Sequence, residues 1–357
     1  MGKLIKDLSS VTSVGLDIAK NVFQVHAIDA SGAVVVARPV RRSQLLSFFA
    51  SLPRCAVGIE ACSSSHHWAR ELIKLGFAVK LLPPAYVKPY VRRNKNDAAD
   101  AAAICEALGR PSMRFVSVRS IENQGALMDH RVRELLVGQR TQLLNGLRGH
   151  LTEVGIITAR GAQNAYGLKR LVAEGADENG EVVLSDCIRA ALTPLVRQID
   201  ALDDEIEAID KAIKSAVLSD EKARRLTSIP GVGPITASAI VATVQDIGAF
   251  ASGREFAAYL GLVPRQRSSG GKERLGRISK MGDRYLRKLL VVGACATLNH
   301  RKGHRDALRL WADQLLTRKA VKYAFKLTAV ALANKVARIV FTLMMRGGAY
   351  RELPVSA

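Results

Sequence analysis

Lys95-Asn96-Asp97-Ala98-Ala99-Asp100-Ala101-Ala102-Ala103-Ile104 is the stretch on which the reading of this 357-residue chain turns. Alanine is the strongest helix former, so the run predicts a helix. Asp97 and Asp100 are three residues apart, which places both carboxylates on one helix face. Alone, such a pair is an ordinary solvated face. Two acids upstream change that reading. Asp17 closes the apolar run Val14-Gly15-Leu16, and Glu60 closes Ala56-Val57-Gly58-Ile59. Both runs read as buried strands, and ligands of open α/β sheets gather at the carboxyl ends of strands. Anions held side by side repel unless a cation lies between them. Carboxylate oxygens suit hard ions such as Mg2+ or Mn2+. Asp17, Glu60, Asp97 and Asp100 are therefore the expected ligands of one divalent-metal site.

Outward from this stretch, residues 13 to 110 alternate strand and helix. Strands are expected at 14–18, 22–28 and 33–37, joined as a meander through the turn Asp29-Ala30-Ser31-Gly32. A short helix capped by Ser43 follows over 43–52. Then come a strand at 55–60, a helix at 64–75 ended by Gly76, and a strand at 77–82. Pro83-Pro84 breaks the pattern before the acidic helix. Three strands, helix, strand, helix, strand, helix is the order of a ribonuclease-H-like domain. In that order the first and fourth strands are neighbours, so Asp17 and Glu60 are expected side by side.

Residues 121–154 read as one long helix with a seam of Val132, Leu136, Leu143, Leu147 and Leu151. Residues 155–181 are glycine-rich and read as loose. A second long helix carries Leu192, Leu195, Ile199, Leu202, Ile206, Ile209 and Ile213, whose three–four spacing is a heptad seam. Pro194 is expected near its start. The two helices form an antiparallel arm, either an intramolecular hairpin or a dimer contact. Beyond residue 220 the chain reads as mostly helical. There Ile229-Pro230-Gly231-Val232-Gly233-Pro234 resembles the hairpin of helix-hairpin-helix DNA binders, with Gly231 and Gly233 bringing backbone amides to a phosphate.

A second chemical stretch runs from Gly261-Leu262-Val263-Pro264 through Ser268-Ser269-Gly270-Gly271 to Arg287. It reads as a glycine-rich loop that enters a helix near Asp283. A serine hydroxyl needs a base, a metal or nearby positive charge to attack a phosphodiester. Arg265, Arg267, Lys272, Arg274 and Lys280 supply such charge. The same composition also suits a plain surface loop.

The whole chain carries 53 Lys and Arg against 32 Asp and Glu, a net charge of +21, which points to a polyanionic partner such as nucleic acid. Aromatic residues are only 5%, which argues against a single-strand binder built on base stacking. Five cysteines form no Cys-x-x-Cys pair, which argues against a zinc ribbon or a disulfide framework. Reduced thiols fit a cytosol best. The apolar run Leu289–Leu298 is too short to span a bilayer, so no membrane partner is expected. His66-His67 follows Glu60 and reads as either polar helix-start residues or neighbours of the metal. His300 and His304 read as a phosphate-facing turn rather than a zinc site. Arg92, Arg93 and Lys95 flank the acids and are expected to touch a nucleic-acid backbone.

Together these motifs resemble one family. Asp17, Glu60-Ala61-Cys62, His66-His67-Trp68-Ala69-Arg70-Glu71-Leu72, Pro83-Pro84, Tyr86 to Val91, Lys95 to Ala101, the Pro-Gly-Val-Gly hairpin and the serine loop are similar to the DEDD transposases of the IS-110 insertion-sequence family, IS-1111 branch. The resemblance covers nearly the whole chain. It implies a RuvC-like DEDD metal domain over 1–115, a helical arm with an inserted loop over 116–220, and a C-terminal transposase domain over 221–357. It also implies a serine before a glycine, here Ser269, that becomes covalently joined to cut DNA, with Ser268 directly beside it. The implied partners are double-stranded DNA, a guide non-coding RNA from the element, and further copies of the chain as a dimer or tetramer. The expected activity is metal-dependent strand transfer. The competing readings are a Holliday-junction nuclease that uses water, and a DNA architectural protein without catalysis.

Overall fold

The structure is a computed structural model and describes residues 7–91, 96–159, 161, 164–176, 180, 183–268, 270–272, 274–300, 306–318 and 324–351. The chain divides into two compact units, Met1–Ser120 and Ile121–Ala357. Arg92, Arg93, Lys95, Ser269 and His304 lie outside the described residues.

Strands β1 (Ser13–Asp17), β2 (Val22–Ile28) and β3 (Val34–Arg41) form the expected meander, paired antiparallel. After helix α1 (Leu45–Ala50), strand β4 (Ala56–Glu60) lies parallel to β1. Helix α2 (Ser65–Lys74) leads to β5 (Ala78–Leu82), parallel to β4, for a sheet order β3-β2-β1-β4-β5. Helix α3 (Pro84–Val87) opens with Pro84, whose missing N–H is harmless in a first turn. Helix α4 (Asp97–Leu108) is the acidic helix. This mixed five-stranded sheet with flanking helices is compatible with a ribonuclease-H-like domain.

Two local expectations are corrected. Strand β3 runs on to Arg41 rather than stopping at Ala37. Its Pro39 pairs with Gln24 but sits on an edge strand, where no ladder donor is required on the open side. Ser43 does not cap a helix: it lies inside a 3-10 turn, Arg42–Gln44, and Gln44 precedes α1.

In the second unit, α5 (Ile121–Glu153) and α7 (Asp186–Ser219) form an antiparallel pair. The direction follows from the ion pairs Arg133–Asp210 and Arg140–Asp203, in which one number rises by seven as the other falls by seven. Leu192, Ile199, Ile206 and Ile213 are buried, while Leu195, Leu202 and Ile209 are half-buried. Val132, read as part of the seam, is exposed on α5. Pro194 lies nine residues into α7 rather than at its start. The stretch read as loose contains α6 (Ala165–Glu174), whose Leu168, Leu171 and Val172 share a core with Leu147, Leu151 and Ile199.

Helices α8 (Glu221–Leu226), α9 (Pro234–Thr243) and α10 (Gly253–Tyr259) follow. The serine loop contains a short antiparallel hairpin, β6 (Pro264–Gln266) and β7 (Leu275–Ile278), which composition alone concealed. Helices α11 (Arg284–Asn299), α12 (Ala307–Arg318) and α13 (Ala324–Arg346) complete the unit. Helix α13 is long and apolar enough to cross a membrane by length and composition. Its Ala329, Leu332, Ala333, Val336 and Val340 are buried in the same core as Leu226, Ile240, Phe256, Leu286 and Leu290.

Candidate functional site

The site begins with two glycines. Gly15 of β1 and Gly58 of β4 face each other across the parallel pairing. Having no side chains, they leave a trough on one face of the sheet, and α4 lies in it. A Cβ on Gly15 would overlap the Ala101 carbonyl oxygen and come within 2.6 Å of the Cys105 amide nitrogen. A Cβ on Gly58 would meet Ile104, Leu82 and Leu108 at 3.1–3.3 Å. The alanines of α4 make this approach possible from the helix side. Burial against the sheet also pushes the Cys105 thiol up to about 11.

Side chains two residues apart on a strand share a face. Asp17 therefore lies on the face of Gly15, and Glu60 on the face of Gly58, both toward α4. The strands pair through Leu16–Ile59, so the two acids follow at the same level. Asn96 caps α4, its side-chain oxygen accepting from the Ala99 amide at 2.8 Å. The cap starts the helix so that Asp97 and Asp100 fall in its first turn, where the helix dipole favours negative charge.

Asp17, Asp97 and Asp100 each offer a carboxylate oxygen, and these oxygens lie within 4.8 Å of one another. Asp17 and Asp100 are half-buried and Asp97 is exposed, so the cluster opens to solvent. Glu60 is not part of this three-acid group; it ends the adjacent strand on the same face of the sheet. Three converging anionic oxygen donors fit a hard divalent cation, the ligand class that oxygen-rich sites hold. Sequence reading identified the acids but missed the glycines. A glycine inside a strand pattern marks close backbone approach, and that signal stood two residues before each acid.

His66 is buried, and its Nδ1 accepts the Arg119 amide proton at 3.1 Å. Arg70 donates to the Arg119 carbonyl at 2.7 Å from the same helix. His67 is exposed and stands edge-on to Trp68.

In the second unit, the Pro-Gly-Val-Gly turn joins α8 to α9. Gly231, at φ +85°, packs on Gly293 of α11: a Cβ there would lie 2.7 Å from the Gly293 carbonyl oxygen and 2.6 Å from Thr297 Oγ1. Gly233 has open space in front of it. The two glycines thus differ, one seating the turn on α11 and the other leaving the start of α9 uncovered. A cleft of about 650 Å³ runs along this turn, lined by Gly231, Gly233, Thr236, Val292, Arg133 and Arg309. Behind the cleft, His130 of α5 is buried between Tyr285 Oη at 3.2 Å and Ser238 Oγ at 3.1 Å. Desolvation holds its pKa down to about 4, and burial pushes the Tyr285 hydroxyl up to about 12.

The cations of the serine hairpin are not equivalent. Arg265 spends its guanidinium on the Ser279 carbonyl, at 3.1 Å from Nη2. Arg267, Lys272, Arg274 and Lys280 are exposed. Ser268 Oγ accepts the Arg274 amide proton at 3.2 Å, which ties that serine into the hairpin.

Comparison with known proteins supplies the name for this combination. A family model described as "Transposase IS116/IS110/IS902 family" matches residues 223–309. A DEDD transposase model of the IS110 type, described as "Transposase", matches residues 14–156. A "Probable family 20 transposase" of Pseudomonas aeruginosa is 45% identical over 343 residues, 96% of this chain and 99% of its own length. The "Transposase for insertion sequence element IS1111A" of Coxiella burnetii is 41% identical, covering 97% of this chain and 93% of itself. The "Transposase for insertion sequence element IS1328" of Yersinia enterocolitica is 38% identical, covering 97% of this chain and 100% of itself. With both models matched in order and relatives of this similarity along nearly its whole length, the chain belongs to the IS110/IS1111 family of insertion-sequence transposases.

Proposed function

We propose that this transposase cuts and rejoins DNA through a covalent serine intermediate, with Ser269 as the nucleophile and the acid cluster as the metal site. The observation that carries the reading is the convergence of Asp17, Asp97 and Asp100 within 4.8 Å at the carboxyl end of β1. Glu60, ending the neighbouring strand on the same face, is the fourth acid of the set. These residues would hold Mg2+ or Mn2+. When bound, the ion supplies Lewis acidity that neutralises charge on a scissile phosphate.

The protein's own groups do the rest. Ser269 Oγ attacks phosphorus and forms an O–P bond as the bond to one deoxyribose oxygen breaks. That oxygen takes a proton from solvent and leaves as a hydroxyl, which balances the proton that the serine gives up to a base or to solvent. A hydroxyl from a second strand then attacks the serine phosphodiester, frees the serine and rejoins the DNA. One phosphodiester is exchanged for another, so rejoining needs no external energy source. Arg267, Lys272, Arg274 and Lys280, close to the serines in the sequence, would offset the extra negative charge of the transition state. Arg92, Arg93 and Lys95 just before α4, and the amides at Gly231 and Gly233, would grip backbone phosphates. Such contacts carry no sequence information, which suits delegation of target choice to a guide RNA that pairs with DNA. The active assembly is a homo-oligomer, a dimer or a tetramer.

The test is to incubate the full chain with a labelled duplex of the element's end, RNA transcribed from the element's flank, and MgCl2. A covalent protein–DNA adduct is expected, with the linkage mapping to Ser269 by peptide mass. Ser269→Ala and Asp17→Asn are each expected to reduce the adduct by at least about 100-fold while retaining DNA binding. Cleavage that persists in Ser269→Ala without an adduct would instead identify a RuvC-like nuclease that uses water.

A further inference from the structure

We infer that Arg287 is a positioning residue for the serine-bearing hairpin, a role that rests on the proposed nucleophile Ser269. In the sequence Arg287 ends the cationic stretch that begins at Gly261. Its guanidinium turns toward the foot of the hairpin. One nitrogen, Nη1, donates to the Leu260 carbonyl at 3.0 Å and to the Met281 carbonyl at 2.9 Å. Leu260 precedes the ascending strand and Met281 follows the descending one. A single side chain therefore spans the two feet of the hairpin whose two strands are joined, in the sequence, by the segment containing Ser268 and Ser269.

The surrounding backbone shows that this foot is a fixed object. Ser279 N donates to Val263 O at 2.8 Å, and Lys280 N to Gly261 O at 3.1 Å. A Cβ on Gly261 would lie 2.6 Å from the Met281 amide nitrogen, and one on Gly282 would overlap the Tyr259 carbonyl oxygen. Lys280 is held at φ +56°, a conformation that non-glycine residues enter only when their neighbours require it. Asn334 of α13 adds a donor to the Leu262 carbonyl at 3.2 Å.

Arg287 is itself well held. It lies in the first turn of α11, its amide bonded to Asp283 O at 3.3 Å, and Leu286 and Leu290 anchor that helix in the core. Rigid support therefore runs from the core through α11 and Arg287 to the hairpin foot. The strands above the foot are short and largely exposed, so the foot sets the direction in which β6 and β7 leave the helical core. The charged donor makes bonds stronger than a neutral amide would.

The test uses the full chain with the same labelled duplex, RNA and MgCl2. Arg287→Met keeps most of the side-chain bulk and removes both hydrogen bonds. Adduct formation at saturating DNA is expected to slow by about tenfold or more, with DNA affinity within about twofold of the unsubstituted chain. Arg287→Lys, which keeps a cationic donor, is expected to restore part of the rate. Hydrogen exchange gives a readout independent of chemistry: in Arg287→Met the amides of Ser279 and Lys280 should exchange faster while those of α13 stay unchanged. An adduct rate equal to that of the unsubstituted chain would overturn the inference. So would a loss of DNA affinity in step with the rate, which would make Arg287 a nucleic-acid contact. If Ser269→Ala still forms adduct, the nucleophile is misassigned; the exchange result then judges the clamp alone, and unchanged exchange rejects it. Should Arg287→Met prove insoluble, Asn334→Ala is expected to shift exchange at the foot in the same direction by less, and no shift would count against the clamp.

Discussion

At the scale of single residues, the acid cluster depends on atoms that are not there. Asp97 and Asp100 reach Asp17 because Gly15 lets the α4 backbone rest on β1. Gly15→Ala would place a methyl into the Ala101 carbonyl and the Cys105 amide, and both are backbone atoms that can move only with the helix. Overpacking of this kind costs typically ~1–3 kcal/mol. The expected result is that α4 lifts, the acids separate, and Mn2+ affinity measured by calorimetric titration falls by about tenfold or more. Gly58→Ala, whose new contacts are the side-chain atoms of Ile104, Leu82 and Leu108 at 3.1–3.3 Å, is expected to weaken binding less. Equal affinity in Gly15→Ala and the unsubstituted chain would refute the role given to the trough.

At the scale of elements, the second unit is joined through polar contacts between helices. His130 links α5 to α9 through Ser238 and to α11 through Tyr285, and Glu134 pairs with Lys288 one turn further on, at 2.9 Å. The imidazole is neutral here, so one ring nitrogen donates and the other accepts. Asp129, Arg133 and Asp210 are the charged groups that also act on it, and desolvation outweighs them. The unfolded chain takes up this proton below the ordinary value of 6.5, whereas the folded chain resists until about 4. The unfolded state therefore binds more protons between those values. The stabilisation is complete above pH 6.5 and is lost as pH falls toward 4, by up to ~3 kcal/mol. Urea unfolding followed at Trp311 between these pH values should show this loss, and His130→Phe should flatten it. Parallel pH curves for the two chains would remove His130 as its source.

At the scale of the whole molecule, a net charge of +21 dominates encounters with nucleic acid. Each neutralised phosphate releases a counterion, so affinity falls with salt on a log–log line. For several phosphate contacts, raising salt from ~50 to ~200 mM is expected to raise the Kd by about 10³-fold or more. Fluorescence anisotropy with a labelled duplex measures the slope. A flat response would mean that the excess charge lies away from the DNA.

The sequence by itself determined the order of strands and helices in the first unit, the placement of Asp17 and Glu60 at strand ends, and the pairing of Asp97 with Asp100 on one helix. These are local facts: periodicity and propensity act over a few residues, and burial follows the same repeat. The sequence did not reveal α6, the β6–β7 hairpin or the continuation of β3 past Pro39, because glycine-rich and proline-bearing segments fold according to what they pack against. Only the tertiary structure decided that Gly15 and Gly58 lie opposite each other to seat α4, that Gly231 serves a backbone contact with Gly293, and that Arg287 donates to the Leu260 and Met281 carbonyls. Each of these depends on close backbone approach between segments distant in the chain, and no local pattern of side chains encodes where a distant backbone will lie.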